Sequence, residues 1–113
     1  MYTREIAIKL VKDFLGVLKA EGIIIQKAVL FGSFAHNCQN EWSDIDLALV
    51  SDGFTGFGFD DKQQIAKIIS HRPFSIIHAK TYPTSYFEDG DPFIDEIKKT
   101  GIVVFSNALS TAS

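Results

Sequence analysis

The sequence predicts an α/β (α+β) fold: a small mixed β-sheet of about four strands with helices packed mainly on one face. Three observations carry this. Segments with apolar residues at helical spacing alternate with short β-rich runs at 28–31, 44–50, 74–79 and 102–105. Glycine, proline and aspartate punctuate the joins, at Gly22, Asp91-Pro92 and Gly101. The chain has 113 residues, 46% hydrophobic and 22% charged, enough to bury one core without staples.

In chain order, Thr3 and Glu5 lead into Ile6, Leu10, Phe14 and Leu18 at four-residue steps, an amphipathic helix that Gly22 is placed to end after Glu21. Residues 23–31 are apolar and β-branched, with Gln26-Lys27 marking the start of the first strand proper. Ser33 is a suitable N-cap for a short helix, and 44–50 is the second strand. Residues 53–59 interleave three glycines with three phenylalanines, too flexible for regular structure and too apolar for bare solvent. A protein partner, a second copy of the chain, a stacked base or the chain's own core are the candidate covers for this loop. Asp60 or Asp61 is expected to cap a helix through Ile65, Ile68 and Ile69. Pro73 opens the third strand, and Tyr82-Pro83-Thr84 turns toward a short helix anchored by Tyr86-Phe87. Asp91 as N-cap and Pro92 as first residue begin a helix whose end, Lys98-Lys99, suits the helix dipole. Gly101 stops it, and 102–105 is the last strand. The domain is expected over 1–105, with 106–113 a small, polar, flexible tail.

Bulk properties narrow the function. Cys38 is the single cysteine, so no intrachain disulfide forms, and a reducing cytoplasm is the expected setting. Residues 1–5 open a charged helix pattern rather than a leader peptide, and no apolar run reaches membrane-spanning length. The net charge of −3, with lysines and arginines scattered among acids, argues against a dedicated nucleic-acid binder.

The chemistry concentrates in two adjoining segments, Leu30-Phe31-Gly32-Ser33 and Asp44-Ile45-Asp46-Leu47. A strand points residues i and i+2 to one face, so Asp44 and Asp46 project together while Ile45, Leu47 and Leu49 point the other way. Neighbouring carboxylates repel unless a cation lies between them, and hard oxygen ligands suit Mg²⁺ together with waters and substrate phosphates. Taken alone, the pair also reads as a strand end with two solvated acids. The preceding glycine lets backbone approach a phosphate, and the serine hydroxyl and amide can donate to it.

Gly32-Ser33, ten intervening residues and then Asp44-Ile45-Asp46 resemble the signature of the DNA polymerase beta-like nucleotidyltransferases. Ser43 to Leu47 and the stretch 92–102 are similar to the minimal nucleotidyltransferase group, the antitoxin-type partners of HEPN proteins, and the likeness covers most of the chain. The resemblance implies a nucleotidyltransferase-like sheet with the site at strand ends. It implies nucleotide phosphates on Gly32, Ser33 and His36, and a two-metal Mg²⁺ site on Asp44 and Asp46. It also implies ATP as the nucleotidyl donor and a hydroxyl of a HEPN-type protein partner as acceptor. His36 and Asn37 stand where the family usually has a basic residue and a glycine. The family's further carboxylate belongs on a later strand, yet 72–80 contains no acid. Ser75 or Ile76 is the expected equivalent, with His78, on the face of Ile76, as an auxiliary base or phosphate ligand. Three readings follow: a nucleotidyltransferase, a binding module that neutralises its partner by contact, or a Mg-nucleotide sensor. Self-association is also expected from the aromatic loop.

Overall fold

In the computed structural model, which describes residues 3–36, 43–52, 59–71 and 73–106, four strands form one sheet. They are β1 (Lys27–Phe31), β2 (Ile45–Ser51), β3 (Ile77–Pro83) and β4 (Ile102–Ser106), in the order β3-β2-β1-β4. β1 runs antiparallel to both β2 and β4, and β2 runs parallel to β3, so the sheet is mixed. The parallel step needs a crossover, and α2 (Phe59–Ile69) supplies it. The remaining helices are α1 (Arg4–Ala20), α3 (Thr84–Asp89) and α4 (Pro92–Thr100).

Each local signal has a visible cause. The Thr3 hydroxyl accepts from the Ile6 amide and caps α1. At the other end the Ile23 and Gly22 amides donate to the Leu18 and Lys19 carbonyls, a paired closure that requires Gly22 at φ 84°. Asp91 caps α4 by accepting from the Ile94 amide at 2.7 Å, with Pro92 as first residue.

The sheet has two covered faces. Ala7, Leu10, Val11, Phe14 and Leu18 of α1, with Ile65 of α2, pack on Ala28, Leu30, Ile45, Leu47 and Leu49. On the opposite face Phe87 of α3, with Ile94 and Ile97 of α4, covers Val29, Phe31, Ala48 and Val50. The expectation of helices mainly on one face thus holds for the two longer helices, and two short ones cover part of the second. A sheet whose central strands are apolar on both sides demands this.

Several expectations are corrected. Ile6 is 48% exposed, because the buried stripe of α1 runs through Ala7 and Val11 instead. Residues 32–34 form a single 3₁₀ turn whose capping position is Phe31, without a side-chain cap, so Ser33 lies inside the turn. Asp60 and Asp61 fall within α2 rather than ahead of it. The third strand starts at Ile77, since Phe74–Ile76 is a 3₁₀ turn. Phe87 is buried, whereas Tyr86 is exposed and donates its hydroxyl hydrogen to Asp91 at 2.8 Å. Ser106 ends β4 rather than opening a tail; residues 107–113, Asn37, Cys38 and the Phe/Gly segment 53–58 lie outside the described residues. Among the described residues, no helix is long and apolar enough to cross a membrane.

Candidate active site

β1 and β2 deliver their functional residues to one end of the sheet. Phe31, the last residue of β1, pairs with Asp46, the second of β2. Strand alternation buries Ile45, Leu47 and Leu49 under α1 and α2, which turns Asp46 to the opposite face. Gly32 follows immediately, at φ 75°. A side chain there would both strain the backbone and collide with the Asp46 carboxylate, so the glycine is required twice over. The turn and the carboxylate are in direct apposition.

Asp44 sits one residue before β2 and is exposed. Its charge reaches Asp46. The Asp46 carboxyl is held above the usual carboxylate range, first by burial; His78 and Lys80 oppose the shift, and Asp44 adds to it. A half-buried acid beside a second acid gains from a cation. Among the described residues, no three His, Cys, Asp or Glu side chains converge as a ready-made metal cage. Two carboxylates are hard oxygen donors of the kind that Mg²⁺ takes together with phosphate oxygens and waters.

Strand register decides which β3 residue stands beside Asp46. β3 pairs in parallel with β2, Ile77 to Ile45 and His78 to Asp46. His78 Nδ1 lies 3.6 Å from Asp46 Oδ1, with the imidazole largely exposed. Ser75 and Ile76, the residues expected opposite the acids, precede the strand, and Ile76 packs toward the α1 face. The β3 residue beside Asp46 is His78. His36 closes the Gly32 turn through its backbone, its amide donating to the Gly32 carbonyl at 3.2 Å, and its side chain is exposed.

One contributor was invisible in the sequence. Arg4, in the first turn of α1, donates from Nε to the Phe34 carbonyl at 3.0 Å and from Nη2 to the Ala35 carbonyl at 2.6 Å. This fork ties the Gly32–Phe34 turn to α1 across 30 residues of sequence. No spacing rule links such distant positions; a charged residue on the entry turn of an otherwise amphipathic helix was the only signal.

The family model described as "Polymerase beta, Nucleotidyltransferase" matches residues 17–109. The chain belongs to that nucleotidyltransferase family. A "putative protein adenylyltransferase" of Methanocaldococcus jannaschii is 35% identical over 101 residues, covering 82% of this chain and 89% of the relative. The crystal structure of a "putative nucleotidyltransferase" from Sulfolobus solfataricus superposes with a TM-score of 0.68 at 18% identity, covering 93% of this chain and 85% of that one. The second likeness establishes the shared fold. The nucleotidyltransferase motif falls within the matched span, and Arg4 lies outside it.

Proposed function

We propose that the protein is a Mg²⁺-dependent nucleotidyltransferase that passes AMP from ATP to a hydroxyl of a protein partner. The observation that carries this reading is the apposition of Gly32 to the Asp46 carboxylate within a nucleotidyltransferase family chain. The name of the M. jannaschii relative, a protein adenylyltransferase, favours ATP as donor and protein as acceptor.

In this reading Asp44 and Asp46 hold Mg²⁺, which when bound would neutralise phosphate charge and orient the attacking and leaving oxygens. Gly32 and Ser33 cradle phosphate oxygens with backbone amides and a hydroxyl, helped by His36. His78, in the place of a third carboxylate, accepts the proton of the acceptor hydroxyl or aids its alignment. Attack on the α-phosphorus forms the new phosphoester bond and breaks the bond to the β-phosphate oxygen, releasing pyrophosphate. A partner of the HEPN type, neutralised by the modification, is the proposed acceptor and makes this chain an antitoxin.

A second reading rests on one observation, a histidine rather than an acid beside Asp46. Here the domain binds Mg-nucleotide without efficient transfer and acts by contact. Pyrophosphate release from ATP in the presence of partner and Mg²⁺ separates the two. The transferase reading expects release that Asp46→Asn abolishes; release at the buffer rate with partner present, or unchanged in Asp46→Asn, contradicts it.

A further inference from the structure

Lys80 follows His78 by two residues on β3, pairs with Ala48 of β2, and so shares the face of Asp46. Its ammonium stands 5.2 Å from the ring centroid of Phe93, an aromatic side chain 48% exposed in the first turn of α4. Phe93 is in turn held edge-on by Phe31 at 5.8 Å and 89°, and Phe31 is the pairing partner of Asp46. Lysine and rings thus form a chain of contacts that ends at Phe31, the residue paired with Asp46. An ammonium over an aromatic face is attracted by the ring quadrupole, which favours this placement over free sweep through solvent.

Among the described residues, three other cations have contacts of their own. Arg4 is spent on two backbone carbonyls, and Lys27 and Lys98 lie against Phe87. Among the described residues, no carboxylate ion-pairs with Lys80, although its charge lowers the affinity of Asp46 for a proton. A site that gathers two acids and a phosphate-bearing ligand needs compensating positive charge. The Gly32-Ser33 turn is followed by the exposed His36 where a basic side chain would serve.

We infer that Lys80, steered by Phe93, forms a phosphate-binding subsite on the β3 flank of Asp46, opposite the Gly32 turn. This rests on the nucleotide-binding reading above and adds a residue to it. Lys80 contacts phosphate directly; Phe93 is a positioning residue that acts through Lys80.

The test is direct calorimetric titration of the purified protein with Mg-ATP and with Mg-pyrophosphate. Lys80→Met is expected to weaken Mg-ATP binding about tenfold or more, the worth of one charge-assisted contact, and Lys80→Arg to stay within about threefold of wild type. Phe93→Leu is expected to lose part of the affinity, Phe93→Trp to keep it, and Phe93→Leu to add nothing on a Lys80→Met background. A parallel loss for pyrophosphate assigns the contact to the leaving phosphates; a loss confined to ATP assigns it to the α-phosphate. Wild type binding ATP while Lys80→Met binds equally well overturns the subsite. Additive effects of Phe93→Leu and Lys80→Met overturn the positioning role. Wild type that binds no Mg-ATP overturns the nucleotide reading itself, and the subsite with it.

Discussion

Asp46 and His78 face each other across the parallel β2–β3 pair, Oδ1 to Nδ1 at 3.6 Å, at the end of the sheet where the Gly32 turn closes over the carboxylate. This pairing makes β3 part of the site. His78→Asp, which puts a carboxylate beside Asp46, should raise nucleotidyl transfer by about a hundredfold, the low end of what a well-placed proton acceptor contributes. His78→Ala should lower it. Initial rates of pyrophosphate release measure both, and a loss of activity in His78→Asp would mean that the imidazole itself is the adapted group.

Gly32 tolerates no side chain. Gly32→Ala is expected to cost about 1–2 kcal/mol of stability from the left-handed backbone alone, read by urea denaturation. It should also abolish Mg-ATP binding, because the new methyl displaces the Asp46 carboxylate. A variant with wild-type affinity would show that the turn and the acid do not act together.

Arg4 is predicted to govern the Gly32–Phe34 turn from outside the span that the family model matches. Arg4→Ala removes two charge-assisted bonds and should cost about 1.5–3 kcal/mol at most in unfolding, with weakened ATP binding. Arg4→Lys should not restore binding, since an ammonium cannot reproduce a planar fork spanning two successive carbonyls. Full rescue by lysine would reduce Arg4 to a surface charge.

The α3–α4 junction supplies a pH dependence. The Ile94 amide, and then the Tyr86 hydroxyl, hold the Asp91 carboxyl below the usual carboxylate range. A depressed folded-state value means that its stabilisation is complete above the ordinary aspartate range and disappears as pH falls through the folded value. Asp91→Ala should therefore lower Tm by a few degrees at neutral pH, with the difference from wild type shrinking as the solution is acidified into that range. A pH-independent difference would assign the cap no ionic component.

What the sequence disclosed was the part of the fold written in neighbouring residues. Thr3, Gly22, Asp91-Pro92 and Gly101 act on their own backbone within a few positions, and α1, α4 and β4 begin or end where these residues indicate. The turning of Asp46 away from Ile45, Leu47 and Leu49 was legible because alternation alone predicts where strand side chains point. Register was the hidden quantity. Whether Ser75, Ile76 or His78 meets Asp46 depends on a 3₁₀ turn delaying β3 and on a parallel pairing joined through α2, neither of which leaves a local mark. Arg4 and the Lys80–Phe93 pair were hidden for the same reason, being contacts between segments far apart in the chain.

The most direct measurement is intact-mass analysis of a purified partner incubated with this protein, Mg²⁺ and each nucleoside triphosphate in turn. The account predicts a nucleoside-monophosphate adduct on the partner, strongest with ATP, absent in Asp44→Asn and Asp46→Asn. A partner neutralised with no change in mass, and neutralised equally by both variants, would contradict it.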